Sequence, residues 1–148
     1  MHNHRQSAKM AFVIGLSLVM SMLLVGPSAA TGIITKSNLQ GSWQVSLNGN
    51  TGCGLVSMLV NVTLNNVGYG TNAKITTHGQ CGDSIVTGQT FQILTLAANG
   101  SGTANLSCGP GCGWNFNIQV SSDRSIFNIV DVDPANPGNF LGGVAIHQ

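Results

Sequence analysis

Apolar and polar residues alternate with a period of two along most of this chain, the mark of strands with one dry face and one wet face. The clearest run is Trp114-Asn115-Phe116-Asn117-Ile118-Gln119-Val120-Ser121, where every even position is large and apolar and every odd position is polar. Ser42-Trp43-Gln44-Val45-Ser46-Leu47-Asn48 and Val60-Asn61-Val62-Thr63-Leu64-Asn65 repeat the pattern. Helical periodicity is missing after Thr31. Gly, Asn, Asp, Ser and Pro clusters cut the chain at regular intervals. They predict eight strands, near 42–48, 55–65, 71–78, 86–96, 103–108, 113–121, 125–131 and 139–147. In the fourth, Phe91, Ile93, Leu94 and Leu96 leave the buried face undetermined.

Strands with one wet face argue for antiparallel pairing. Short sequential connections then give an all-β, up-and-down meander. Closing it into a barrel removes both edge strands; a two-sheet β-sandwich fits the same strands if connections cross between sheets. In the barrel, the connections after odd-numbered strands share one end. That end collects Cys53, Cys81, Cys108, Cys112, Trp114, His78, Asp83, Asp131 and Asp133, and the other collects Trp43 and Arg124. Gly142-Gly143 in the last strand is expected to mark a bend or bulge that closure requires.

The first thirty residues have the layout of a secretory signal. Arg5 and Lys9 precede an uncharged apolar run, Ala11 to Val25, which Gly26 and Pro27 end before the small residues Ser28-Ala29-Ala30. As a helix that run spans roughly 22 Å, against the ~30 Å of a bilayer core, so a signal is favoured over a membrane anchor. Residues 31–148 are then expected to form one secreted or periplasmic domain without a membrane span. In it, Lys36, Lys74 and Arg124 face Asp83, Asp123, Asp131 and Asp133, a net charge of −1 with histidines neutral, against +1 for the whole chain. So neutral a chain lacks the basic footprint that nucleic-acid binding needs. Its low charge and many Val, Ile, Leu and Phe residues argue against disorder.

An even set of four cysteines in an exported chain reads as disulfides. The turn after the second strand centres near Val67, with Cys53 fourteen residues before it and Cys81 fourteen after it, so hairpin pairing brings them opposite each other. Cys108 and Cys112 straddle Gly109-Pro110-Gly111 in the same way. The expected bridges are Cys53–Cys81 and Cys108–Cys112, the longer loop contributing on the order of 3–4 kcal/mol and the shorter less. A zinc site is the alternative, disfavoured because the cysteines do not form two matched pairs. A redox motif of the Cys-x-x-Cys kind is absent.

Leu39-Gln40-Gly41-Ser42-Trp43, at the head of the first strand, resembles the Gly-x-Trp signature of calycins, the lipocalin and avidin-like barrels. The resemblance implies an eight-stranded barrel whose tryptophan plugs the closed end beneath a basic residue. Trp43 takes the first role, and Arg124 is the expected partner by a cation–π contact, although the family carries its basic residue on the last strand and Arg124 precedes the seventh. Periplasmic metalloprotease inhibitors, also eight-stranded barrels with an early Gly-x-Trp and a disulfide, look similar at this level.

Catalytic chemistry is sparsely provided. Residues 31–148 hold two histidines, four aspartates and no glutamate. His78, Asp83 and Ser84 permit a triad on paper, though a solvated polar loop is the strongly favoured reading, and His147 is expected to fray at the terminus. Asp83, Asp131 and Asp133 are weak candidates for a Ca²⁺ site; turn aspartates more often bond backbone amides. Asn61, Asn99 and Asn105 head incidental glycosylation sequons. The reading these residues support is a non-enzymatic exported binding module without a cofactor. Its partner is a small apolar molecule entering near Trp114, Phe116, Val120 and His78, or an extracellular protein. A protease inhibitor or surface adhesin is the nearest alternative, and a hydrolase a more distant one.

Overall fold

A computed structural model describes residues 32–52, 54–132 and 138–148; the expected signal at 1–30, Cys53 and Asp133 lie outside the described residues. The strands are β1 (Gly41–Asn50), β2 (Leu55–Leu64), β3 (Tyr69–Gly79), β4 (Ser84–Leu96), β5 (Ser101–Gly109), β6 (Cys112–Val120), β7 (Ile126–Asp131) and β8 (Phe140–His147). They form a closed antiparallel barrel in chain order, with β8 returning to pair with β1. The barrel, and not the sandwich, is the architecture. Every predicted strand is present within a few residues of its expected bounds, and the β2–β3 register, with Val56 opposite Gly79, centres at Val67–Gly68.

Alternation decides what fills the interior. Val45, Leu47, Val60, Ile75, Phe91, Ile93, Leu106, Phe116, Phe127 and Ile129 point inward and are buried, and no polar side chain is buried with them among the described residues. Outward positions pair across strands through neutral hydrogen bonds: Asn48 accepts from Ser57 at 2.7 Å, the Thr95 and Thr103 hydroxyls meet at 2.8 Å, and the Asn105 amide donates to Asn115 at 3.0 Å. The undetermined face of β4 has a local cause. A register shift between Ile93 and Thr95 makes Leu94 an extra residue, so Phe91 and Ile93 point in, Leu94 is exposed, and Leu96 returns to the core.

One end of the barrel is sealed. Thr35 enters a 3-10 turn, Lys36–Leu39, in which the Asn38 carboxamide accepts from the Thr35 backbone N–H at 3.0 Å. Leu39 and Ile34 plug the opening, and the Trp43 indole N–H donates to the Leu39 carbonyl at 2.7 Å. The aromatic partners of Trp43 are Phe127, with ring centroids 4.8 Å apart, and His147, at 4.9 Å. The basic ring on Trp43 therefore comes from the last strand. Among the described residues Arg124 makes no ring contact; it sits in the turn before β7 with its guanidinium beside Gly32. His147 does not fray either. Its backbone N–H donates to Ser125 at 2.8 Å, and its side chain is held over Trp43 by the β1–β8 register.

Gly142 and Gly143 lie in unbroken register with both neighbouring strands, so they form no bulge. Their two faces differ. A methyl group on Gly143 would fall 1.8 Å from the Ser46 carbonyl oxygen, whereas one on Gly142 would meet nothing nearer than 3.8 Å. Gly143 thus permits the close approach of β1 and β8 that shuts the barrel. Gly143→Ala is expected to destabilise the protein by about 1–3 kcal/mol through backbone displacement, and Gly142→Ala to change stability by less than about 1 kcal/mol. Urea unfolding of the two variants checks the contrast.

Candidate binding site at the open rim

The end opposite Trp43 is formed by the β1–β2, β3–β4, β5–β6 and β7–β8 connections. Cys108 and Cys112 are bridged there across the Gly109-Pro110-Gly111 turn, with Cα atoms 5.1 Å apart. Cys81 is disulfide-bonded as well; its expected partner, Cys53, is outside the described residues. Between these loops lies a recess of about 190 Å³, lined by Leu55, Met58, Thr77, Cys81, Asp83 and Trp114 among others. Below it Phe116, Leu106, Ile75 and Phe91 fill the barrel. Small-molecule sites usually occupy ~300–1,000 Å³, so this recess has room for one large side chain.

The predicted site residues part company here. Trp114 lines the recess, half-buried. Phe116 is fully buried beneath it, and Val120 lies at the sealed end, because nine-residue β6 spans the whole wall and Val120 pairs with Phe127. His78 points outward and its Nδ1 lies 2.5 Å from the Asp83 carboxylate, with both side chains largely exposed. Ser84 turns away from that pair, its hydroxyl meeting Thr77 Oγ1 at 2.6 Å. The triad drawn on paper is thus two separate contacts, His78 with Asp83 and Ser84 with Thr77.

The metal candidates are also separated. Asp131 lies opposite Phe116 on the inward side of β7, Asp83 is in the β3–β4 loop, and Asp133 is outside the described residues. Among the described residues no three His, Cys, Asp or Glu side chains are grouped to hold a metal ion.

What sequence reasoning missed is a set of exposed apolar side chains near the rim-side strand ends. Leu55 and Phe140, 63% and 58% exposed, flank Asn50 on the outer wall. Ile85, 65% exposed, and Val86 begin β4, and Val132 follows β7. Leu55 also borders a shallow outer groove of about 520 Å³, lined by Asn48, Val56, Ser57, His78 and Gln80. The signal was present: Leu55-Val56 and Ile85-Val86 are apolar pairs at strand starts, where alternation would place only one of each inside. Compared with known proteins, the chain matches no family model, no curated protein and no solved structure.

Charge is sorted along the barrel axis. Asp83 and Asp131 lie toward the rim. Lys36, Lys74 and Arg124 lie toward the sealed end, where Lys36 donates to the Leu94 carbonyl at 2.8 Å and Lys74 pairs with Asn61. Asp123 is the acidic exception, in the turn before β7. The hydroxyls of Ser121 and Ser125 and the Ser125 backbone N–H donate to its carboxylate and lower its pKa from 3.8 to about 2. The folded state binds this proton less readily than the unfolded chain. The turn is therefore stabilised fully above the ordinary carboxylate pKa, and that contribution is lost as pH falls through about 2. A carboxyl NMR titration should give an Asp123 midpoint near 2, moving toward 3.8 in Ser121→Ala. Under non-reducing conditions, a peptide map should yield Cys53 joined to Cys81.

Proposed function

We propose that this chain is an exported, non-enzymatic binding module whose disulfide-bearing rim docks an extracellular protein. The observation that carries the reading is the exposure of Leu55, Ile85, Val86, Val132 and Phe140 near the rim-side ends of β2, β4, β7 and β8, with Leu55 lining a recess that holds one side chain. Large apolar side chains exposed together and rimmed by polar residues mark interaction sites. Leu55 stands between the mouth recess and the outer groove, so a partner segment crossing the rim meets both. Trp114 is the aromatic anchor at the centre, the residue type most often dominant in interface energetics. The bridge at Cys108–Cys112 holds that rim rigid, which lowers the entropic cost of docking.

The barrel is calycin-like on this reading. A tryptophan at the head of β1 closes one end, and a basic ring from the last strand covers it. A small apolar ligand is the less favoured cargo, because packed side chains leave the interior too little room. The inhibitor variant is less favoured too: residues 32–40 fold against the sealed end through Ile34 and Leu39 and do not project. Oxidising export suits the disulfides, and no helix among the described residues is long and apolar enough to cross a membrane.

The test is to isolate the tagged protein from its own host and record its native mass spectrum. One protein bound in fixed ratio is expected, with affinity falling at least tenfold, or about 1.4 kcal/mol, in Leu55→Asp and Ile85→Asp at unchanged circular dichroism. A retained small molecule without a protein, or a partner indifferent to both substitutions, refutes the proposal.

A further inference from the structure

The outer wall of β7 and β8 differs from the rest of the barrel. Between the exposed Phe140 at the rim end of β8 and the sealed end, its outward residues are Ile126, Asn128 and Val130 on β7 and Gly142, Val144 and Ile146 on β8. They stand in three rungs: Ile126 opposite Ile146, Asn128 opposite Val144, and Val130 opposite Gly142. Ile126, Val130 and Ile146 are 40%, 57% and 45% exposed. On either side the rows are neutral and polar: Asn115, Asn117 and Gln119 on β6, and Gln44, Ser46 and Asn48 on β1. No charged residue occupies an outward position in these rows.

From this we infer that the β7–β8 wall is an interface with a second copy of this chain. The rungs are self-complementary. A two-fold axis lying in the interface, across the strands at the Asn128–Val144 rung, brings each strand antiparallel onto its own copy. Asn128 then faces Asn128, and a carboxamide is both donor and acceptor, so two of them satisfy each other. Val144 faces Val144. Ile146 of each copy lies over Gly142 of the other, where no side chain stands and an added methyl group would meet nothing nearer than 3.8 Å. Ile126 covers Val130. An isologous contact of this kind needs one patch that fits itself, and an uncharged wall brings no like charges together. The apolar rungs expose on the order of 300 Å², the size at which a patch on a monomer is commonly functional. The flanking amide rows extend the face toward the ~800 Å² per copy of a standard interface. The wall continues to Phe140 at the rim, whereas Leu55 and Ile85 stand on β2 and β4, so the substitutions that test rim docking leave the wall intact and either interaction can fail without the other.

Sedimentation velocity of the purified protein through the micromolar range tests the inference. A dimer is expected, with Val144→Lys a folded monomer by circular dichroism and sedimentation. Asn128→Cys should form a disulfide-linked dimer under mild oxidation, because residues on the axis face themselves, and Asn48→Cys should not. Should Val144→Lys fail to fold, the cross-linking pair decides. A wild-type monomer at every concentration overturns the inference and leaves the wall to an unlike protein. A dimer that links no better at Asn128→Cys than at Asn48→Cys overturns it as well.

Discussion

The hydrogen-bonded seam between β1 and β8 is the constraint on which this fold depends. It joins the first and last strands, from Trp43 opposite His147 to Asn50 opposite Phe140, and converts an open meander into a surface without edges. Everything else follows from it. Inward residues become a core enclosed on all sides, the 3-10 turn gains an opening to plug, and the odd-numbered connections are gathered into one rim. Closure spans nearly the whole described chain, so the loop entropy of this contact must be met before its hydrogen bonds form. Proteins dominated by such non-local pairings fold slowly, and the cross-linked rim narrows the set of open conformations meanwhile.

The interior and the wall divide the work by chemistry. Apolar burial supplies the drive for collapse and carries no buried polar side chain with it among the described residues. The wall supplies register, through pairs such as Asn48 with Ser57 and Thr95 with Thr103. Neutral pairs of this kind are individually weak, yet a slip by one residue would break them and turn the core outward together. With so few ionisable groups, little of this stability should respond to salt.

Much of the architecture was legible in residue order because its physics is local. Alternation in Trp114–Val120 states which face is dry, and eight such runs with short turns leave few ways to cover the dry faces. Legibility ended where geometry is collective. Nothing in the alternation of β6 says that Val120 lies a full strand away from Trp114, at the sealed end. The extra residue at Leu94 blurred β4, since a bulge breaks the very period used to detect it. Gly142 and Gly143 were expected to bend the strand; their contrast depends on which neighbour each faces across the seam. The basic partner of Trp43 went to Arg124 by charge, whereas pairing across the seam delivers His147. The exposed apolar set near the rim was the largest omission, because exposure of an apolar residue at a strand start is decided by where the wall stops.

The sorting of ionised groups gives the molecule a direction. With Lys36, Lys74 and Arg124 outweighing Asp123 at one pole and Asp83 and Asp131 at the other, the barrel is an electric dipole despite a near-zero total. Near a polyanionic surface, the torque on that dipole turns the plugged pole toward the surface and leaves the disulfide-bearing mouth pointing away from it. Raising the ionic strength would randomise that heading without altering the fold.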